Sequence, residues 1–221
     1  MKKLLYITAN TKPETISTSR TVGRMMVNAL SAHLPDLQVE ELDLYTASLP
    51  PLKHHYFTGR NTLVNSEAVL QLPPEEQGHL AQIARLCDQF VAADVYVLAA
   101  PMWSLSFPAV VKEYLDCIII GGKTIGFQKE KPYGLLDDRN RSFVYVQSSG
   151  ASLPWMLRPV LNKGMSYFED IMKFIGIDDF YSLLADGTGT TEEERLCAIR
   201  KAEDKIPLMV DQICRNVGGC V

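Results

Sequence analysis

Short apolar runs, separated by amphipathic stretches, make up most of this chain. Continuous apolar runs of strand length are typical of strands that are covered on both faces in a parallel sheet. One segment alternates instead, as a half-exposed strand does. The pattern predicts five strands, which are "KLLYITA" from Lys3, the alternating "LQVEELDL" from Leu37, "DVYVLAAP" from Asp94, "RSFVYVQSSG" from Arg141 and "DDFYSLLADG" from Asp178.

Helical periodicity predicts a helix after most of these strands. The first helix follows the polar stretch "NTKPETISTS", residues 10–19, and its cap is Ser17 or Thr18. Its single apolar face is built from Val22, Met25, Met26, Ala29 and Leu30. The other predicted helices cover residues 78–92, 108–120, 166–176 and 190–216, the last with a kink at Pro207.

Strands that alternate with helices predict an α/β fold, a doubly wound parallel sheet of five strands with helices on both faces. We expect one domain, residues 1–221, with the irregular connection 45–77 as a flap or an oligomer contact. Ligands of such sheets bind beyond the carboxyl ends of the strands. The loops after the first, third and fourth strands are therefore the places to search for a site.

Composition narrows the function classes. The formal charge is -4, with both signs scattered along the chain, so no basic stripe indicates a nucleic-acid partner. No apolar run approaches the roughly 20 residues that cross a bilayer, and the start "MKKLLYITAN" reads as a strand and not as an export signal. Five cysteines, an odd number without a CxxC pair, argue for reduced thiols and a cytoplasmic protein.

Two stretches imitate nucleotide motifs. "GGKT", residues 121–124, lacks the first glycine of a phosphate loop, because Cys117 stands at that position and the context is helical. We interpret it as a helix stop followed by a turn. "GTGTTE", residues 187–192, has Glu192 in place of the last glycine of a dinucleotide fingerprint, and no strand is predicted after it.

The three loops at the expected ligand edge carry more suitable chemistry. Hydroxyls of Ser17, Thr18 and Ser19, together with the first amides of a helix, can bind a phosphate, although they also fit a simple cap. "PMWSLSF", from Pro101, exposes large apolar side chains that suit a flat ligand, a partner or ordinary rim packing. "QSSGAS", from Gln147, leaves room for a ring near the backbone. The three loops together suit a molecule with a phosphate at one end and a planar ring at the other. Flavin mononucleotide (FMN) has that shape.

These segments resemble the FMN-dependent NADH:quinone oxidoreductases, also called azoreductases, on a flavodoxin-like fold. The resemblance covers nearly the whole chain and is most specific in "APMWSLSFPAVVKEYLDCIIIGGKTIGF". It implies an FMN site near the interface of a homodimer, with Phe127 and residues 45–77 reaching the partner's site. The implied FMN-binding residues are Asn10, Ser17, Thr18, Ser19, Pro101, Met102, Trp103, Ser104, Leu105, Ser148, Ser149, Gly150 and Ala151.

The resemblance also implies an activity, which is two-electron transfer from NADH or NADPH to a quinone or azo compound by a ping-pong hydride mechanism. Trp103 and Phe127 are candidates for stacking on these planar molecules. Lys123 and Arg158 could assist the nicotinamide nucleotide, although single cations are usually only surface charges. No catalytic side chain is assigned. The adjacent His54 and His55 lack the spacing of metal ligands on one helix face, so no metal is expected.

One departure from the family pattern bears on redox tuning and on acceptor choice. Ser149-Gly150-Ala151 stands where members of the family commonly have Arg-Gly-Gly. Two other function classes remain open at this point. One is a flavodoxin-type carrier of single electrons, and the other is a regulatory or binding module without turnover.

Overall fold

The computed structural model describes residues 1–152, 156 and 162–218. The described elements are, in chain order, β1 (Lys3–Thr8), α1 (Thr18–His33), β2 (Gln38–Asp43), β3 (Phe57–Thr58), β4 (Thr62–Leu63), α2 (Ser66–Leu70), α3 (Pro74–Ala92), β5 (Val95–Pro101), α4 (Ala109–Ile118), β6 (Ile125–Gln128), β7 (Lys131–Gly134), β8 (Ser142–Ser149), α5 (Lys163–Phe174), β9 (Asp179–Asp186), α6 (Glu192–Glu203) and α7 (Ile206–Val217). A one-turn 3-10 helix, His54–Tyr56, precedes β3.

The central sheet has five parallel strands in the order β2-β1-β5-β8-β9. Every residue of β5 is buried, whereas β2 at the edge is half-exposed, as its alternating pattern predicts. The carboxyl ends of β1, β5 and β8 therefore lie side by side. The predicted doubly wound sheet is confirmed.

Both faces of the sheet are covered by helices. On one face Leu5 and Ile7 of β1 join a core with residues of α3, α4 and α5. On the other face Leu4 and Tyr6 join a core with residues of α1, α6 and α7. Successive side chains of a strand point to opposite faces, so one apolar strand supplies both cores. No helix in the described part of the chain is long and apolar enough to cross a membrane.

The prediction of one kinked helix over residues 190–216 is wrong, because this segment forms two separate helices. Helix α6 ends at Glu203, and α7 begins at Ile206 with Pro207 in its first turn. Proline has no amide hydrogen, and its ring clashes with the carbonyl four residues earlier. The first turn of a new helix avoids both costs, because no intrahelical bond is required there.

The 45–77 connection contains more regular structure than its sequence indicates. It holds the β3–β4 hairpin and α2, and α3 begins at Pro74 instead of Gly78. Tyr56 anchors it, since this side chain is buried in the core and its hydroxyl lies 2.9 Å from Nδ1 of His79. Outside this connection, the β6–β7 hairpin was not predicted.

The "GGKT" stretch is a turn after a helix, as predicted. Helix α4 ends at Ile118, and Gly122 has a φ of 82°. Gly121 donates its amide to the Asn61 carbonyl at 2.9 Å, so the turn supports the loop between β3 and β4. Lys123 forms an ion pair with Asp88 of α3.

Two glycines in helices test the packing of this fold. A Cβ on Gly23 of α1 would lie 2.9 Å from both the Ala99 Cβ and the Tyr6 hydroxyl, whereas a Cβ on exposed Gly78 meets no atom within 4 Å. We expect Gly23→Ala to lower the free energy of unfolding by about 1–3 kcal/mol through overpacking. Gly78→Ala should raise it by about 0.5–1 kcal/mol, the helix preference of alanine over glycine. Urea unfolding of both variants checks the pair, and equal effects would contradict the packing.

Candidate functional site

A cleft of about 230 Å³ lies at the carboxyl ends of β1, β5 and β8. All three loops that the sequence selected contribute to it, and the loop after β9 adds one residue. Its lining consists of Asn10, Thr11, Lys12, Ile16, Ser17, Thr18, Pro101, Met102, Trp103, Ser148, Ser149, Gly150 and Thr188.

Hydroxyl and amide groups at the start of α1 form the polar end of the cleft. Ser17 is the N-cap, and its Oγ accepts from the amide of Arg20 at 3.3 Å. The Asn10 side chain donates to the same Oγ at 2.9 Å, and Ser19 Oγ lies 3.4 Å from it. Burial of all three polar side chains shields these hydrogen bonds from water. The hydroxyl cluster is therefore a preformed feature of the fold.

This end of the cleft suits an anion. The amides of the first turn of a helix have no intrahelical acceptor, and the helix dipole places partial positive charge there. Lys12, on the loop before α1, is exposed at the cleft and adds a full positive charge. A phosphate placed here would meet hydroxyl, amide and ammonium donors together.

The loop after β5 holds its apolar side chains in a tight turn. Met102 donates its amide to the Ser148 carbonyl at 2.7 Å, and Trp103 and Ser106 exchange backbone hydrogen bonds of 3.0 and 2.8 Å. The two residues inside that turn, Ser104 and Leu105, have φ values of 51° and 60°. Left-handed backbone is costly for such residues, so the closing hydrogen bonds must maintain it. Trp103 is left 45% exposed beside the cleft.

Helix α5 supports this turn from behind. Gly164, in the first turn of α5, donates its amide to the Leu105 carbonyl at 3.3 Å. A Cβ on Gly164 would lie 2.6 Å from Ser106 Cα, so glycine is required for this close approach. Residues 105 and 106 are consequently packed against a helix and not only closed by their own backbone.

The loop after β8 forms the third wall. Ser149 donates its hydroxyl to the Ala151 carbonyl at 2.7 Å and approaches Asp186 Oδ1 at 3.0 Å. Gly150 is exposed, and a Cβ built on it meets no atom within 4 Å. The backbone here is thus open to a planar group from the cleft side.

The loop after β9 belongs to the site, although the sequence analysis did not include it. Thr188 lines the cleft, and its amide donates to the Ser149 carbonyl at 3.0 Å. Thr11, Lys12 and Ile16 are the other lining residues that were not named. The available signal was positional, because "GTGTTE" follows a fifth parallel strand whose carboxyl end reaches the same edge.

Several predicted residues do not line the cleft. Ser19 lies behind Ser17, and Ser104, Leu105 and Ala151 lie beside lining residues. Phe127 is half-buried on β6 under the guanidinium of Arg60, 5.0 Å from its ring centroid, and is not part of the cleft of its own chain. Lys123 is likewise absent from the lining, and Arg158 lies outside the described residues.

A larger groove of about 880 Å³ runs between the edge strand β2 and helix α3. Its rim combines Lys3, Glu40, Arg85 and Asp88 with alanines of α3. It lies along the side of the sheet, away from the loops that follow β1, β5 and β8. Position and donor chemistry therefore favour the smaller cleft as the functional site.

Comparisons with known proteins agree with this architecture. A family model described as "Flavodoxin-like fold" matches residues 2–206. An FMN-dependent NADH:quinone oxidoreductase of Ruminiclostridium cellulolyticum is 57% identical over 96% of this chain and 100% of its own length. A protein of the same name from Clostridium botulinum is 53% identical with the same coverage. An FMN-dependent NADH-azoreductase of Bacillus anthracis, solved with FMN, matches at a TM-score of 0.79 and 22% identity, covering 95% of this chain and 100% of that one.

The start of α6 gives a pH-dependent test of the loop after β9. Amides of Thr190 and Thr191, and the Thr191 hydroxyl, donate to Glu194 and hold its pKa below the ordinary value. A carboxylate with a lowered pKa stabilises the fold above its unfolded pKa, and this contribution disappears as the pH falls through the folded pKa. Glu194→Gln should therefore lower the melting temperature at pH 7, and the difference from the wild type should shrink in acid. A difference independent of pH would contradict a role for the charge.

Proposed function

The chain belongs to the family of flavodoxin-like FMN-dependent NADH:quinone oxidoreductases, and we propose that it transfers two electrons from NADH or NADPH to quinones and azo compounds with FMN in the described cleft. The observation that carries the proposal is the convergence of the three predicted loops on one cleft with a polar end and an apolar rim. The polar end and the apolar rim match the two chemical halves of FMN.

The polar end fits the phosphate of FMN. Hydroxyls of Ser17 and Thr18, the free amides of the first turn of α1 and the ammonium of Lys12 are all donors. We propose that Asn10 and Ser19 hold Ser17 in position, since the three side chains are joined by hydrogen bonds of 2.9 to 3.5 Å. The arrangement does not need the G-x-x-x-x-G-K-[ST] phosphate loop that "GGKT" imitates.

The apolar rim fits the ring. We propose that Pro101 to Leu105 border one side of the isoalloxazine ring and that Ser148 to Ala151 approach its pyrimidine edge through their backbone. Exposed Trp103 is the stacking candidate for the nicotinamide or the acceptor. Ser149-Gly150-Ala151 carries no positive charge at the three positions where other members of the family commonly have Arg-Gly-Gly, and Ser149 Oγ lies 3.0 Å from Asp186 Oδ1 instead.

The side chains of the cleft suit binding and orientation more than proton transfer. Among the described lining residues, Lys12 is the one titratable group. When bound, FMN would supply the two-electron hydride chemistry between the nicotinamide and the acceptor. The protein would admit the two planar substrates in turn beside Trp103, exclude water from the ring and hold the phosphate. The nicotinamide nucleotide and the acceptor would occupy the same position beside Trp103 one after the other. The proposed ping-pong order follows from this shared position.

We propose that the protein works as a homodimer in which Phe127 and residues 45–77 reach the partner's cleft. Phe127 lies on the β6–β7 hairpin, stacked with Arg60 from the 45–77 connection, so the two predicted contact regions are joined. Both regions are away from the cleft of their own chain. Sedimentation velocity tests this arrangement, and a monomer at the concentration where turnover is measured would exclude it.

We propose a cytoplasmic location, where NADH is available as the reductant. The thiols of Cys87 and Cys117 are buried in the core, and burial raises the pKa of each to about 12. Such thiols are inert and need no oxidising compartment. Cys220 lies outside the described residues.

The proposed activity is tested by adding FMN to the purified protein, recording the visible flavin spectrum and then following NADH and NADPH loss with a simple quinone and an azo dye. We expect a perturbed flavin spectrum and steady-state turnover. Flavin binding without turnover would leave the single-electron carrier, and absence of flavin binding would leave a regulatory or binding module.

Substitution of Trp103 tests whether the apolar rim of the cleft orients the planar substrates. We expect Trp103→Ala to change kcat or KM for planar acceptors by about ten-fold, because stacking contributes on the order of 1 kcal/mol and also orients the acceptor. The melting temperature should change little, since the side chain is 45% exposed. Leu208→Ala on α7, also exposed, is the control. Unchanged kinetics across several acceptors would remove Trp103 from the site.

A further inference from the structure

The segment 187–195, which joins β9 to α6, touches both ends of the proposed FMN site. We call it the clamp segment. Its amides donate to three consecutive carbonyls of the loop after β8, with Gly187 to Ala151 at 3.3 Å, Thr188 to Ser149 at 3.0 Å and Gly189 to Gly150 at 3.1 Å. Residues 149–151 are thereby held beside the end of β9.

Arg195, the last residue of the clamp segment, contacts the loop at the other end of the site. Its Nη2 donates to the Thr15 carbonyl at 3.0 Å and lies 3.5 Å from Thr21 Oγ1, while its Nη1 pairs with Glu192 at 2.6 Å. The side chain is 17% exposed. Thr15 belongs to the loop before α1, so a residue 180 positions away in the chain holds the hydroxyl-bearing loop.

Arg20, in the first turn of α1, also binds the loop before α1. Its Nη1 donates to the Asn10 and Lys12 carbonyls at 3.2 and 3.4 Å and pairs with Asp43 at 3.0 Å. Carbonyls of this loop are thus bound by two guanidinium groups. A carbonyl oxygen facing the cleft would repel a phosphate, so holding these oxygens on donors leaves the hydroxyls and amides as the groups presented to an anion.

The clamp segment is itself stiff. Gly189 has a φ of 54°, and a Cβ there would lie 2.1 Å from Glu194 Oε2. Glu194 in turn binds the Thr190 and Thr191 amides in a capping box that begins α6. Arg195, the next residue on the helix, is therefore held by a rigid support.

From this network we propose that Arg195 is a positioning residue for the phosphate of FMN, acting through the Thr15 carbonyl and not by contact with the cofactor. The proposal rests on the proposed function, because it needs FMN in the cleft. Buried Arg195 Nε has no hydrogen-bond acceptor among the described residues. An unpaired buried donor is a cost to folding, so an apolar replacement need not destabilise the protein, and positioning can be separated from stability.

The test compares FMN with riboflavin, which has the same ring and ribityl chain but no phosphate. Dissociation constants are measured by flavin fluorescence for the wild type, Arg195→Met, Arg195→Lys and the control Arg200→Met, an exposed arginine of the same helix. We expect Arg195→Met to weaken FMN binding by about ten-fold, because a loop that the guanidinium no longer holds must be ordered when the phosphate binds. Arg195→Lys should recover part of that loss, and Arg200→Met should match the wild type.

Because riboflavin has no phosphate, its affinity shows whether Arg195→Met disturbs only the phosphate end of the site or the whole site. Arg195→Met should leave riboflavin affinity and the melting temperature close to those of the wild type. Equal weakening of FMN and riboflavin, or an FMN affinity unchanged by Arg195→Met, would overturn the positioning role while leaving the proposed function in place. A wild-type protein that binds no FMN would instead overturn the proposed function itself.

Discussion

Burial of the parallel sheet on both faces is the constraint on which the rest of the structure depends. Because β5 is covered by helices above and below, its polar backbone must pair within the sheet, and side chains that need water or a ligand are confined to the strand ends. Each right-handed crossover then returns the chain in the same direction. All carboxyl ends meet at one edge, together with the N-terminus of α1.

The site follows from that geometry more than from any single reactive group. Ser17 illustrates this, since the same Oγ caps α1, accepts from Asn10 and faces the cleft. The two flanking loops are held by backbone hydrogen bonds, including Met102 to Ser148 and Thr188 to Ser149. A rigid cradle with donors at one end and an exposed tryptophan at the other is suited to a cofactor that carries the chemistry itself.

Local sequence was sufficient for the five strands of the central sheet, for a cap at Ser17 or Thr18 and for three of the contributing loops, because each of these depends on neighbours within a few residues. The β6–β7 hairpin was not predictable, since strands of four residues around Lys129 and Glu130 carry too short a pattern. Pro207 was placed in a kink although it begins a helix. Thr188 and Arg195 depend on partners far away in the chain, such as Ser149 and Thr15, and no periodicity records such contacts.

A crystal structure of the protein with FMN tests the assignment of the cleft most directly. We expect the phosphate to lie within hydrogen-bond distance of the Ser17 and Thr18 hydroxyls and the first amides of α1, with the ring between Trp103 and Gly150. Electron density for FMN in the larger groove beside Glu40 and Arg85, or a phosphate remote from the start of α1, would contradict this assignment.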